Sequence, residues 1–193
     1  MITLYLIRHC HTQQMSGEVA ALPRGDADLS RVGISQAHHL AEFLSKRPID
    51  LILTSLFVRS QHTARIIRAE RHTPLFSSMA LNEYQVRDDE SGVETTDQAT
   101  ARSLSYLFHY SPHFEHIAVV AHNALLSTMR MRLMNLPFDS ATDAFANAGA
   151  CRVLRYDWKK GDQNWREEIH FVPESAEQNA PEDAKTQARE QWR

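Results

Sequence analysis

The chain has 193 residues, 42% hydrophobic and 23% charged, proportions of an ordinary globular protein from which one domain with a packed core is expected. A net charge of -3 with neutral histidines argues against a general polyanion-binding surface, and so against a nucleic-acid partner, but leaves room for a local cationic pocket. Cys10 and Cys151 are too few for a disulfide framework, no run approaches the roughly 18 apolar residues of a membrane span, and no signal-peptide pattern opens the chain, so a cytoplasmic protein without a membrane partner is expected.

Leu4, Tyr5, Leu6 and Ile7 form a continuous apolar run, as in a strand buried on both faces of a parallel sheet under helices. Arg8, His9, Cys10, His11 and Thr12 follow at once. Ligands of such sheets bind just beyond the carboxyl ends of the strands, so Arg8 and His9 stand where an anion would sit, with His9 a candidate nucleophile. Gln13 to Arg31, broken by Gly17, Pro23 and Gly25, reads as a long loop able to hold or cover a substrate. Ile34, Ala37, Leu40, Ala41 and Leu44 then recur at helical spacing until Pro48.

Ile49 to Thr54 is a second strand, and Phe57 to Ala69 returns to helix. Arg59 falls in the first turn of that helix, where free N–H groups and partial positive charge favour an anion. Pro74-Leu75-Phe76 is a short strand, Asn82 to Thr96 an acidic irregular stretch, and Asp97 to Tyr110 a helix. His116 to Ala121 is the cleanest buried strand; it ends in His122, followed by Asn123 and a helix from Ala124 to Met134. Cys151–Tyr156 and Trp165–Phe171 read as an edge hairpin. Beyond residue 172 the composition turns polar, giving a domain over 1–172 and a tail over 173–193. The alternation of strands and helices predicts an α/β sandwich with a mostly parallel central sheet.

Arg8, Arg59 and the two strand-end histidines would make a cationic pocket. The arginine fork matches phosphate oxygens in pairs, and fixed positive charge aimed at a transferring phosphoryl group supplies most of what its catalysis needs. A neutral imidazole attacks phosphorus and splits the reaction in two through a phosphohistidine. The leaving alkoxide then needs a proton, which an acid from the loop carrying Glu83 would supply.

Leu6-Ile7-Arg8-His9-Cys10-His11-Thr12 resembles the Arg-His-Gly-x-Thr signature of the histidine phosphatase superfamily, which includes the cofactor-dependent phosphoglycerate mutases. Asp28-Leu29-Ser30 through Gly33 to Gln36-Ala37, Thr54 to Ala64, Leu81-Asn82-Glu83, Val119 to Asn123 and Asn147-Ala148-Gly149 are similar to further family segments in the same order, over roughly residues 1–157. The resemblance implies a three-layer α/β/α fold and a metal-independent phosphomonoester hydrolase with no cofactor. It also implies His9 as the phosphorylated nucleophile, Arg8, Arg59, His122 and Asn123 as phosphoryl-binding groups, and Glu83 as proton donor and acceptor. Catalytic roles thus fall to His9, Glu83 and His122. The substrate would be a small phosphorylated molecule or a phosphoprotein.

Cys10 and Asn123 replace family glycines, and Met15 stands where mutases often place a phosphate-contacting asparagine. A side chain at position 10 is strained if the backbone there is left-handed. Three other readings stay open on sequence: an inactive relative that binds phosphorylated ligands, a mutase-type phosphotransferase, and a zinc hydrolase using His9 and His11, since alternate residues of an extended strand share a face. Asp88, Asp89 and Glu90 compete with Glu83 for the acid role. Oligomeric state is not legible in the sequence.

Overall fold

In a computed structural model, residues 1–19, 26–69, 71–83, 94–137, 145–160 and 164–173 are described. The apolar run near the start forms β1 (Ile2–Arg8), and its neighbours are β4 (His116–Ala121), parallel to it, and β5 (Cys151–Tyr156), antiparallel. With β2 (Leu51–Thr54), β3 (Leu75–Ser77) and β6 (Arg166–Phe171), the sheet order is β3-β2-β4-β1-β5-β6. The first four strands in sequence are mutually parallel, and β5 and β6 add an antiparallel edge.

The period of two along β1 explains the layers. Leu4 and Leu6 face α3 (Thr96–Tyr110) and α4 (Asn123–Leu133), in one cluster with Ala99, Leu107, Leu125 and Met129. Tyr5 and Ile7 face α1 (Arg31–Ser45) and α2 (Val58–Arg68), in a second cluster with Ala37, Leu40, Ala64 and Ile67. Burying one such Leu or Ile is worth about 1.5–3 kcal/mol, so both faces of β1 are anchored before any polar residue contributes. The result is the expected α/β/α sandwich with a mostly parallel sheet.

Several boundaries move by one to three residues, each for a local reason. The helix whose apolar spacing is legible from Ile34 starts at Arg31, because the Ser30 Oγ caps it by accepting the Gly33 N–H at 3.1 Å. The helix expected at Asp97 starts at Thr96 behind a capping box of Thr95 and Gln98. The second strand begins at Leu51 rather than Ile49, since the Asp50 carboxylate turns to accept the His116 N–H at 2.9 Å. The long polar loop is stitched across its base by a bridge between Thr12 and Leu29. Residues 20–25 of that loop, 84–93 of the acidic stretch and 174–193 of the tail lie outside the described residues. No described helix is long and apolar enough to cross a membrane.

Candidate active site

Parallel pairing of β1 with β4 sets Arg8 opposite Ala121, so the residues that follow, His9 and His122, leave the sheet side by side. The His9 N–H donates to the Ala121 carbonyl at 3.0 Å, and the two imidazole centroids stand 5.3 Å apart. Both rings are buried, with His9 7% and His122 1% exposed.

Their hydrogen bonds fix which nitrogen carries the proton. His9 Nδ1 lies 2.9 Å from the Cys10 carbonyl, which only accepts, so Nδ1 holds the hydrogen and Nε2 keeps its lone pair. Burial, reinforced by the Arg59 charge, lowers the His9 pKa to about 3, leaving the ring neutral at pH 7. His122 is neutral in the opposite tautomer. Its Nδ1 accepts from Arg59 Nη2 at 3.3 Å, and its Nε2–H donates to Ser55 Oγ at 2.8 Å. Burial, then the His9 and Arg59 neighbours, push its pKa well below the ordinary histidine value.

Arg59 sits in the first turn of α2, as expected, and its side chain is only 12% exposed. Its guanidinium lies 4.5 Å over the Phe57 ring, which meets His122 edge-on at 5.1 Å. Asp26 Oδ1 stands 4.0 Å from Arg59 Nη1 and accepts the Val58 N–H at 2.7 Å, tying the long loop to the α2 amino terminus. Burial pulls the Arg59 pKa down, opposed by the Asp26 and Glu83 carboxylates. Arg8 is aimed from the end of β1 by the Phe145 and Ala146 carbonyls, to which its Nη1 donates, at 2.9 Å for Phe145. Arg8, His9 and Arg59, with Thr12, Gln14 and Met15, line one open cleft of about 360 Å³.

Glu83 and Asn123 are not among the residues that line this cleft; they meet at the start of α4, directly after His122. The Glu83 carboxylate accepts the Ala124 and Leu125 N–H groups at 3.2 and 3.1 Å, so it occupies the amino terminus of the helix that follows His122. Asn123 is the first residue of α4, and its buried Oδ1 has no hydrogen-bond partner among the described residues. Asp88, Asp89 and Glu90 fall outside the described residues.

His11 does not join His9. β1 ends at Arg8, so the alternate-residue rule does not reach these two; His11 turns toward α1, with its Nδ1 2.9 Å from Ser30 Oγ and its N–H on Gln36 Oε1 at 2.9 Å. Gly33 makes that turn possible, because a Cβ there would lie 1.9 Å from the His11 carbonyl oxygen. Among the described residues no three of His, Cys, Asp and Glu come together to hold a metal ion. Cys10 is fully buried and outside the left-handed region, so the residue in place of the family glycine is not strained there. Its N–H donates to Thr63 Oγ1 at 3.1 Å, and its Sγ nests against Gly149, where a Cβ would sit 3.2 Å away. Cys10 adds no atom to the cleft lining. Burial pushes its thiol up to about 12, far from thiolate chemistry at neutral pH.

Sequence reasoning missed Ser55, which receives the His122 N–H and also accepts the Phe57 N–H at 3.1 Å. Its place at the end of an apolar strand was the available signal. It also missed Asp26 and the 145–146 carbonyls, for which no local pattern exists.

Residues 4–101 match the sequence model of the histidine phosphatase superfamily, branch 1. The adenosylcobalamin/alpha-ribazole phosphatase of Escherichia coli K12 is 28% identical over 169 residues, covering 71% of this chain and 81% of that protein. The structure of YhfR from Bacillus stearothermophilus superposes with a TM-score of 0.73 at 20% identity, covering 88% of this chain and 96% of that one. A mycobacterial glucosyl-3-phosphoglycerate phosphatase superposes with a TM-score of 0.71 at 20% identity, covering 87% of this chain and 97% of that one. These two structures share the fold.

Proposed function

Since the chain belongs to the histidine phosphatase superfamily and is a phosphomonoester hydrolase of that family, we propose that His9 is its phosphorylated nucleophile, that Arg8, Arg59, His122 and Asn123 hold the phosphoryl group, and that Glu83 moves the proton. The observation that carries this reading is the His9 tautomer. Nδ1–H is committed to the Cys10 carbonyl, so the Nε2 lone pair is available beside two guanidiniums that line the same cleft.

In the first half-reaction Nε2 attacks phosphorus while the ester oxygen departs, and Glu83 gives that oxygen its proton. Arg8 and Arg59 meet the charge spread over the phosphoryl oxygens. The Nδ1–H bond supports the imidazole as it takes on positive charge. In the second half-reaction water attacks the phosphohistidine, Glu83 takes the water's proton, and His9 leaves as neutral imidazole. His122 keeps Nδ1 as an acceptor toward Arg59 in the phosphate-free site. A bound dianion draws Arg59 onto its own oxygens and supplies the negative charge that lets Nδ1 take up a proton from solvent, turning His122 into an imidazolium donor.

The substrate in this reading is a small phosphorylated molecule, for which a cleft of about 360 Å³ is suited. Alpha-ribazole phosphate, after the Escherichia coli relative, is the first compound to try. Met15 on the cleft wall offers no polar contact to a second phosphate-bearing group, which favours hydrolysis over mutase transfer. The reading further takes residues 1–172 as the catalytic domain with 173–193 a polar tail, in a reducing cytoplasm that suits two buried free thiols.

Hydrolysis of an aryl phosphate by the wild type and by His9→Ala tests the nucleophile, and equal rates would remove it. Glu83→Gln tests the acid. It should lose rate ~100-fold or more on alkyl phosphates, the usual range for general acid catalysis, and little on nitrophenyl phosphate. A uniform loss would contradict the acid role.

A further inference from the structure

The turn that carries Glu83 is held by a residue no motif singles out. Arg102, on the first half of α3, inserts its guanidinium among the carbonyls of the segment from Met79 to Glu83. Nη1 donates to the Ala80 carbonyl at 2.7 Å and, more weakly, to that of Met79 at 3.4 Å. Nη2 donates to the Asn82 carbonyl at 2.9 Å and reaches the Glu83 carbonyl at 3.4 Å. Glu94 completes the arrangement from the far side in bidentate geometry, accepting Nε–H at 2.6 Å and Nη2–H at 2.7 Å. Both side chains are largely buried, Arg102 22% and Glu94 11% exposed.

On its other flank the same turn is pinned to the β2–α2 connection, where Asn82 Oδ1 accepts the Leu56 N–H at 2.9 Å. Met79–Leu81 is a single 3-10 turn in which the Asn82 N–H already donates to the Met79 carbonyl at 3.0 Å, and no helix continues to supply donors to the carbonyls after it. A planar fork of donors is the side chain that caps several such carbonyls at once, and a lysine, a single point donor, is not its equal.

We propose that Arg102, clasped by Glu94, is a positioning residue for Glu83, setting where the carboxyl stands over the start of α4 and hence over the leaving oxygen. Neither residue touches substrate. The proposal rests on Glu83 as the proton donor and deepens that reading. Misplacing an acid by about 1 Å costs rate only where proton delivery limits it, so the signature of losing Arg102 is a steeper dependence on the leaving group.

The experiment measures kcat/KM over a series of phosphate monoesters, from nitrophenyl to alkyl, for Arg102→Lys, for the paired Arg102→Met with Glu94→Gln, for Glu83→Gln, and for each Arg102 change on the Glu83→Gln background. The paired variant removes the charge that Arg102→Met alone would strand on Glu94, and thermal unfolding verifies that each protein is folded. The expected result is a loss of ~10-fold or more on alkyl esters against under ~2-fold on nitrophenyl phosphate, partial retention in Arg102→Lys, and no further leaving-group effect once Glu83 is Gln. A loss equal across the series, or one that persists undiminished on the Glu83→Gln background, overturns the positioning role and leaves Glu83 intact. A flat series for Glu83→Gln itself overturns the acid assignment and this inference together.

Discussion

Acidification should weaken this fold through His9, and the size of the effect follows from its burial. The unfolded chain takes up a proton at the ordinary histidine value of 6.5, whereas the folded ring, buried and faced by Arg59, does so only near a pKa of about 3. The unfolded state therefore binds more protons at every pH between those values, and stability falls as pH falls. From pH 8 to pH 5 only the interval below 6.5 counts, about 1.5 pH units, so the expected loss from His9 is about 2 kcal/mol. His122, depressed for the same reasons, acts in the same direction. Urea unfolding of the wild type and of His9→Asn at pH 8, 7, 6 and 5 isolates the contribution, since the asparagine amide keeps a donor for the Cys10 carbonyl and does not titrate. The wild type should lose about 2 kcal/mol relative to the variant between pH 8 and 5. A constant difference, or a wild type that gains on acidification, would refute the neutral, buried nucleophile.

Arg59→Met removes a largely buried guanidinium from the phosphoryl site, and orthophosphate inhibition should weaken by ~30-fold or more, the effect of about 2 kcal/mol from a lost desolvated charge contact. An unchanged inhibition constant would put Arg59 outside the site. Gly33→Ala places a Cβ 1.9 Å from the His11 carbonyl oxygen, so α1 must move, and a cost of about 3 kcal/mol in urea unfolding is expected; a neutral effect would contradict the close approach. Cys10 and Cys151, fully buried with thiols pushed up to about 12, should resist iodoacetamide in the native protein and both react after unfolding. Rapid native alkylation of Cys10 would show that it opens to the cleft.

The fold was legible because its strands are of the kind that sequence reports best. β1 and β4 are buried on both faces and read as unbroken apolar runs, and their parallel pairing brings His9 and His122 together with no signal from the intervening chain. Arg59 was placed by the same logic, a strand end followed by a helix start. What stayed hidden depends on side chains meeting across the fold. Ser55 reads as any loop serine until β2 and β4 pair and bring its hydroxyl to His122. Arg102 reads as a solvated helix arginine, and only the packing of α3 against the turn at Met79–Leu81 gives it carbonyls to hold. The zinc alternative on His9 and His11 rested on a strand extended through residue 11, whereas β1 ends at Arg8 and Ser30 and Gln36 hold His11.

The most direct test of the account is to trap the phosphoenzyme. Rapid acid-free quenching during turnover of a labelled phosphomonoester, followed by peptide mapping, should find a single acid-labile, base-stable phosphoryl group on His9, absent from His9→Ala. Label on another residue, or full turnover by His9→Ala with no trapped species, would contradict it.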